Sequence, residues 1–287
     1  MDNYRLSIAL VTRNRPDLLE TCLKSLYQQP HIWSEIVISD DSSTEEFILQ
    51  NRNLSNRYDA KYLEGPKKGL YANRNFVAKS CGGTHIRTMD DDHTFPQDHL
   101  KICLDKIAED PDAIWVIGEY NTTETPLPPP HPVPSEIHPR GFSITPKDPQ
   151  NSRAISCGAS IYPQKVITSN ILNNEDFKFG SVYLEYGSRL KYLGFRIRHI
   201  SETYVIHNFN FNTRSYNNDT EILNSNIYAM LTLSFVYEPT VINKFYTISQ
   251  LTYYLTKDYQ VVKKLIGENW KRVQLLKIKL RDFKHLN

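Results

Sequence analysis

The chain has 287 residues, of which 40% are hydrophobic and 23% charged, and its net charge is +2. No apolar run is long enough to cross a bilayer, the longest being residues 227–237, so no transmembrane helix is expected and the make-up is that of an ordinary globular protein. Residues 263–287 carry eight Lys or Arg against Glu268 and Asp282, or +6, which leaves about −4 on the rest and excludes a body built to bind nucleic acid.

Residues 1–5 lack the basic and then apolar segments of a secretion signal, which predicts a cytoplasmic protein. Residues 6–11 form an apolar strand, and Asn14 and Pro16 then open a helix that carries Leu19, Cys22, Leu23 and Leu26 at helical spacing. Residues 35–39 form a second strand that ends in Asp40 and Asp41 and precedes a short helix. Residues 60–63 lead through Gly65, Pro66 and Gly69 to a helix over about 71–80. Gly82 and Gly83 then turn the chain into the strand 85–89, which delivers Asp90, Asp91, Asp92 and His93. A helix over 97–109 and the strand 115–118 follow.

Residues 126–146 hold eight prolines, which excludes regular structure and predicts either a loop over the site or a plain surface linker. A strand over 155–162 has a small-residue centre that leaves room for a ligand, and Pro163 begins another helix. A helix over 183–190 and strands 195–200 and 203–207 complete the pattern. Beyond residue 217, Leu, Ile and Tyr recur at helical spacing, interrupted by Pro239. Cys22, Cys81, Cys103 and Cys157 are dispersed and read as reduced core thiols.

Strands alternating with helices at these lengths predict an α/β fold, a mostly parallel Rossmann-like sheet with helices on both faces. The domain spans residues 1–216, and a helical extension covers 217–287. Ligands of such sheets bind outside the carboxyl ends of the strands. There stand Thr12, Arg13 and Arg15, then Asp40, then the acidic run. Adjacent carboxylates repel and call for a cation. Asp90 and Asp92, with His93 as a nitrogen donor, suit a divalent ion that keeps positions open for phosphate oxygens; the alternative is a solvated acidic turn.

Four blocks stand in order: Ile8-Ala9-Leu10-Val11-Thr12-Arg13-Asn14-Arg15-Pro16, Glu35-Ile36-Val37-Ile38-Ser39-Asp40-Asp41-Ser42-Ser43, Gly69-Leu70-Tyr71-Ala72-Asn73-Arg74-Asn75 and Met89-Asp90-Asp91-Asp92. Together they resemble the family 2 glycosyltransferases of the GT-A fold, over about the first third of the chain plus a weaker second region. The resemblance implies an enzyme that moves a sugar from a nucleoside-diphosphate sugar to an acceptor hydroxyl on a glycan, a lipid-linked molecule or another compound, with inversion. It also implies a divalent metal, Mn or Mg.

On matching positions, Thr12, Arg13, Arg15, Asp40, Arg74, Asp90 and Asp91 would meet the nucleotide sugar. Asp90 and Asp92 would meet the metal, with His207 at its strand end as a third ligand and His93 flanking. The base that takes the acceptor proton would be Glu185, four residues before Arg189 and ahead of Gly194-Phe195, with Asp176 in reserve. The alternative for Glu185 is an i,i+4 pair with Arg189. Two departures stand out: Arg13 occupies a place where relatives carry an aromatic, and His93 one where they carry an acid.

Residues 261–286 place Val262, Leu265, Ile266, Trp270, Val273, Leu276 and Leu280 near helical spacing with Lys and Arg between them. Such a helix suits peripheral contact with the anionic inner face of a membrane, or packing on the domain or on a second subunit as a homo-oligomer. The rival functions are a sugar nucleotidyltransferase, which would want a glycine-rich loop after the first strand, and a non-catalytic nucleotide-sugar-binding or scaffold protein.

Overall fold

A computed structural model describes residues 4–121, 133–156, 158–208 and 218–283. Strand β1 (Leu6–Thr12) is buried along its whole length, as a central parallel strand covered on both faces must be. Its alternating side chains enter two different cores. Leu6, Ile8 and Leu10 pack with Leu19, Cys22, Leu23 and Leu26 of α1 (Pro16–Tyr27), Leu54 of α2 (Glu45–Arg57) and Leu100, Cys103 and Ile107 of α4 (His99–Glu109). Ala9 and Val11 face the other way, onto α3 (Leu70–Lys79) and α6 (Val182–Tyr192).

With β2 (Trp33–Asp40), β3 (Lys61–Glu64), β4 (His85–Asp90), β5 (His93–Thr94), β6 (Ile114–Asn121), β9 (Ser160–Pro163) and β10 (Ile197–His207), β1 builds one eight-stranded sheet in the order β3-β2-β1-β4-β9-β6-β10-β5. The pairs β3-β2, β2-β1, β1-β4 and β6-β10 are parallel. β9 runs antiparallel to both β4 and β6, and β5 antiparallel to β10. This is the mostly parallel α/β sheet expected.

Three details differ from the sequence reading. The strand expected over 155–162 shrinks to β9 and precedes the short α5 (Gln164–Thr168); Cys157 lies outside the described residues. The two final strands are one, β10, with an irregularity in its pairing to β6 between Ile200 and Val205. The proline-rich segment is not wholly irregular: 126–132 lie outside the described residues, but β7 (Glu136–Ile137) and β8 (Ser143–Ile144) form a hairpin. Ile137 is buried with Leu184 of α6 and with Ala229 and Leu233, so this part props the helices.

After 209–217, which are also outside the described residues, come α7 (Asp219–Thr232), a π-helical turn (Leu233–Tyr237), α8 (Val241–Lys257) and α9 (Tyr259–Phe283). They share one apolar core with α3, α5 and α6. Val262, Leu265, Val273, Leu276 and Leu280 of α9 all point inward. At roughly 1.5–3 kcal/mol per buried side chain, that packing fastens the helix to the domain. Among the described residues no helix is long and apolar enough to cross one.

Candidate active site

The turn after β4 is fixed from both sides. Asp91 is fully buried beneath it: Thr12 Oγ1 donates to Asp91 Oδ2 at 2.7 Å, and the Arg15 guanidinium grips the same carboxylate, with Nε 3.2 Å from Oδ2 and Nη2 on Oδ1. Arg15 also reaches Asp92, Nη1 to Oδ2 at 3.0 Å. Burial pushes the Asp91 carboxyl up, to about 7, against the pull of Arg15. On the other side, Nη2 of Arg74 donates to both oxygens of Asp90. Burial opposes the ionised form of Asp90, and Arg74 together with His93 outweighs it, holding this carboxyl below its usual range.

Pairing between β5 and β10 sets His207 directly opposite His93. The two rings meet edge to face, with centroids 5.1 Å apart. His207 Nε2 is 3.5 Å from Asp92 Oδ2. Asp92, His93 and His207 each offer a ligand atom, and these atoms lie within 4.8 Å of one another. Asp92 Oδ1 and His93 Nδ1 are buried and have no hydrogen-bond partner among the described residues. Orphaned donors and acceptors of this kind fit a divalent cation, and two imidazoles with one carboxylate suit Mn or Zn better than Mg, which prefers oxygen ligands. Gly158 makes the cluster possible: a Cβ there would fall 2.5 Å from Asp90 Oδ2 and 2.8 Å from His93 Cε1.

Thr12, Arg15, Arg74, Asp90, Asp91, Asp92, His93 and His207 thus come together at the carboxyl ends of the strands. Within the group the division of labour differs from the sequence reading. Asp90 and Asp91 are engaged by arginines, while His93 joins Asp92 and His207 in the metal-capable cluster.

Asp40 lies at the end of β2 and is spent internally, accepting from Ser42 N at 2.8 Å, Asn51 Nδ2 at 3.0 Å and Tyr62 Oη at 2.9 Å. It shapes the loop that carries Asp41. The half-buried Arg13 acts on Asp41 electrostatically, opposing the upward push of burial on that carboxyl.

Glu185 does not open onto this crevice. Its side chain has no exposed surface; it accepts from the Tyr237 hydroxyl and pairs with Arg189, Nε to Oε1 at 3.3 Å. Burial raises its carboxyl, with Arg189 pulling the other way. Asp176 is the opposite case, 61% exposed and 3.5 Å from Nε of Arg272. Its segment is tied to α3: Leu70 N donates to Lys178 O at 3.0 Å, and Asn75 Nδ2 to Glu175 Oε1 at 2.9 Å. Gly69, with φ +111°, packs against Lys178 too closely for any side chain.

The sequence reading missed Glu119. It stands near the carboxyl end of β6, with Oε2 3.7 Å from His207 Nδ1 and Oε1 buried without a partner among the described residues. The rule that selected residues after β1, β2 and β4 would have found it, had the strand not been ended at Gly118.

A family profile described as glycosyl transferase family 2 matches residues 7–169, more than half the chain. The chain belongs to this family. Among family 2 and other glycosyltransferases, it is 31% identical over 108 residues to a GalNAc(5)-diNAcBac-PP-undecaprenol beta-1,3-glucosyltransferase of Campylobacter jejuni, covering 37% of this chain and 35% of that protein. It is 24% identical over 106 residues to a chondroitin synthase of Escherichia coli, covering 37% of this chain and 16% of that one. The matched stretch is thus a minor part of either relative.

Two solved structures share the fold. S. aureus TarS 1-349 in complex with UDP superposes with a TM-score of 0.62 at 15% identity, over 88% of this chain and 72% of that one. GalNAc-T7 with UDP, GalNAc and Mn2+ gives 0.64 at 15% identity, over 91% and 59%. Both agree with the GT-A type of sheet.

Proposed function

We propose that this chain transfers a sugar from a nucleoside-diphosphate donor to an acceptor hydroxyl, with a divalent metal and with inversion at the anomeric carbon. The observation that carries the reading is the Asp92, His93 and His207 cluster, with its two orphaned buried atoms, beside two arginines at the carboxyl ends of a GT-A sheet. Asp92, His93 and His207 would hold Mn2+ or Mg2+. When bound, the cation supplies charge neutralisation to the diphosphate leaving group. Arg15 and Arg74 lock the acidic turn so that its ligands need no rearrangement to bind. Arg13, half-buried at the mouth of the crevice, suits stacking on a base or pairing with a phosphate.

A base must reach the acceptor hydroxyl. Glu185 has no surface through which to do so, whereas Asp176 does, which favours Asp176 for the role. TarS 1-349 has been solved in complex with UDP and with UDP-GlcNAc, so UDP-sugars are the first donors to test. The undecaprenol-linked and chondroitin-related names of the relatives point to a glycan hydroxyl, lipid-linked or free, as acceptor.

The test is release of nucleoside diphosphate from UDP-, GDP- and dTDP-sugars by the purified chain, with and without Mn2+. Metal-dependent release from one donor class is expected, and absence of release from all of them, with donor still bound, would make the protein a binder.

A further inference from the structure

The imidazole of His207 lies between two carboxylates: Nε2 is 3.5 Å from Asp92 Oδ2, and Nδ1 is 3.7 Å from Glu119 Oε2. The sheet dictates this placing. β6 and β10 are parallel and pair Glu119 with Val205, so Glu119 and His207 share a face as diagonal neighbours two residues apart. Nε2 is therefore directed at the side of the ring where Asp92 Oδ1 and His93 Nδ1 are orphaned, and Nδ1 at Glu119, whose other oxygen is buried and also lacks a partner among the described residues.

A buried carboxylate oxygen left unpaired costs about 1–3 kcal/mol or more. No donor among the described residues recovers that cost. An imidazole that ligates a metal through Nε2 must carry its proton on Nδ1, and a carboxylate behind Nδ1 fixes that tautomer and the ring orientation.

We infer that Glu119 is a positioning residue for the metal site, holding His207 with Nε2 toward Asp92 and His93. The inference rests on the metal reading proposed above. Without Glu119 the neutral ring is free to place its proton on Nε2, where it blocks the lone pair the cation needs. Asp92 and His93 remain in place, so the loss is in affinity and geometry rather than in the fold.

The experiment is calorimetric titration of the full chain with Mn2+, for wild type, Glu119→Gln and Glu119→Ala, alongside thermal unfolding of each metal-free protein. Glu119→Ala should bind Mn2+ roughly 10- to 100-fold more weakly. Glu119→Gln, which keeps an acceptor oxygen, should lose less. A second measurement needs no variant: 15N-edited spectra of the wild type loaded with diamagnetic Zn2+ should show His207 protonated at Nδ1. Unchanged Mn2+ affinity in folded variants, or a proton on Nε2, would overturn the role of Glu119 while leaving the metal site standing. A wild type that takes up neither Mn2+ nor Mg2+ would remove the metal reading itself, and this inference with it.

Discussion

One nitrogen of Arg74, Nη2, lies 2.7 and 2.5 Å from the two oxygens of Asp90, fastening the middle of α3 to the end of β4. Asp90 would otherwise project a nearly buried negative charge into a crevice that already holds Asp91 and Asp92. The arginine removes that repulsion.

Removing one partner of such a pair leaves the other uncompensated, at a cost of roughly 3–5 kcal/mol for a fully buried pair. With Asp90 17% exposed, Arg74→Met should lower unfolding stability at pH 7 by about 3 kcal/mol, read from urea midpoints. The sign with pH follows from the depressed Asp90 carboxyl. The stability it contributes is present above the unfolded value of about 3.9 and lost as pH falls through the folded one. The gap between wild type and variant should therefore close below about pH 4. An equal gap at pH 7 and pH 3 would refute the pairing.

Metal binding should be pH-dependent in a definite direction. Burial alone would lower His207, but Asp92, Glu119 and Asp90 together outweigh it and raise the metal-free imidazole to about 9. Below the unfolded value of about 6.5 the ion pair is fully formed, and its contribution to the metal-free fold is lost as pH rises through 9. A cation must displace that proton at neutral pH, so Mn2+ affinity should climb between pH 6 and 9 with release of close to one proton. Titration calorimetry in buffers of different ionisation enthalpy reads the proton directly. An affinity flat across that range would contradict the assignment of His207.

How much of this was readable beforehand depends on the residue. The apolar run 6–11 and the alternation of strands with helices after it announce the parallel sheet, and Thr12 and Arg15 after β1 do meet the acidic turn after β4, whereas Asp40 after β2 bonds within its own loop. What the sequence could not show was partnership. Asp90, Asp91 and Asp92 are identical in type, and only the positions of Arg74 and Arg15 show that both oxygens of Asp90 and Asp91 are taken up while Asp92 is held through Oδ2 alone, with Oδ1 unpaired among the described residues. Glu185 and Arg189 have the same spacing whether the pair lies on a surface or, as here, inside a core closed by Tyr237 from a distant helix. His93 opposite His207 is a matter of register between segments more than a hundred residues apart.

The two candidate bases separate experimentally. Glu185→Gln strips the partner from Arg189 in a site with no exposed carboxylate surface, so it should destabilise the fold by about 3 kcal/mol while leaving donor affinity unchanged. Asp176→Asn touches an exposed pair and should change stability by no more than about 0.5 kcal/mol, yet abolish transfer with donor binding retained. Full transfer by Asp176→Asn would remove that residue from the mechanism.

The last helix makes a structural prediction. Leu276 is 8% exposed in the core and Leu275 beside it is 60% exposed. Leu276→Ala should cost roughly 2–5 kcal/mol, and Leu275→Ala should stay within about 0.5 kcal/mol. Thermal denaturation distinguishes the two. Equal effects would mean that α9 does not pack as described. For the same reason, deleting residues 261–287 should unfold the chain instead of merely releasing it from a lipid surface.

The central claim is that a cation held by Asp92, His93 and His207 meets the diphosphate of a nucleotide sugar. Crystals grown with UDP and Mn2+, measured at the manganese absorption edge, test it most directly. The account predicts an anomalous peak between Asp92, His93 and His207, with diphosphate oxygens completing the coordination. A nucleotide bound elsewhere, or a crevice that holds UDP with no manganese at these three residues, would contradict it.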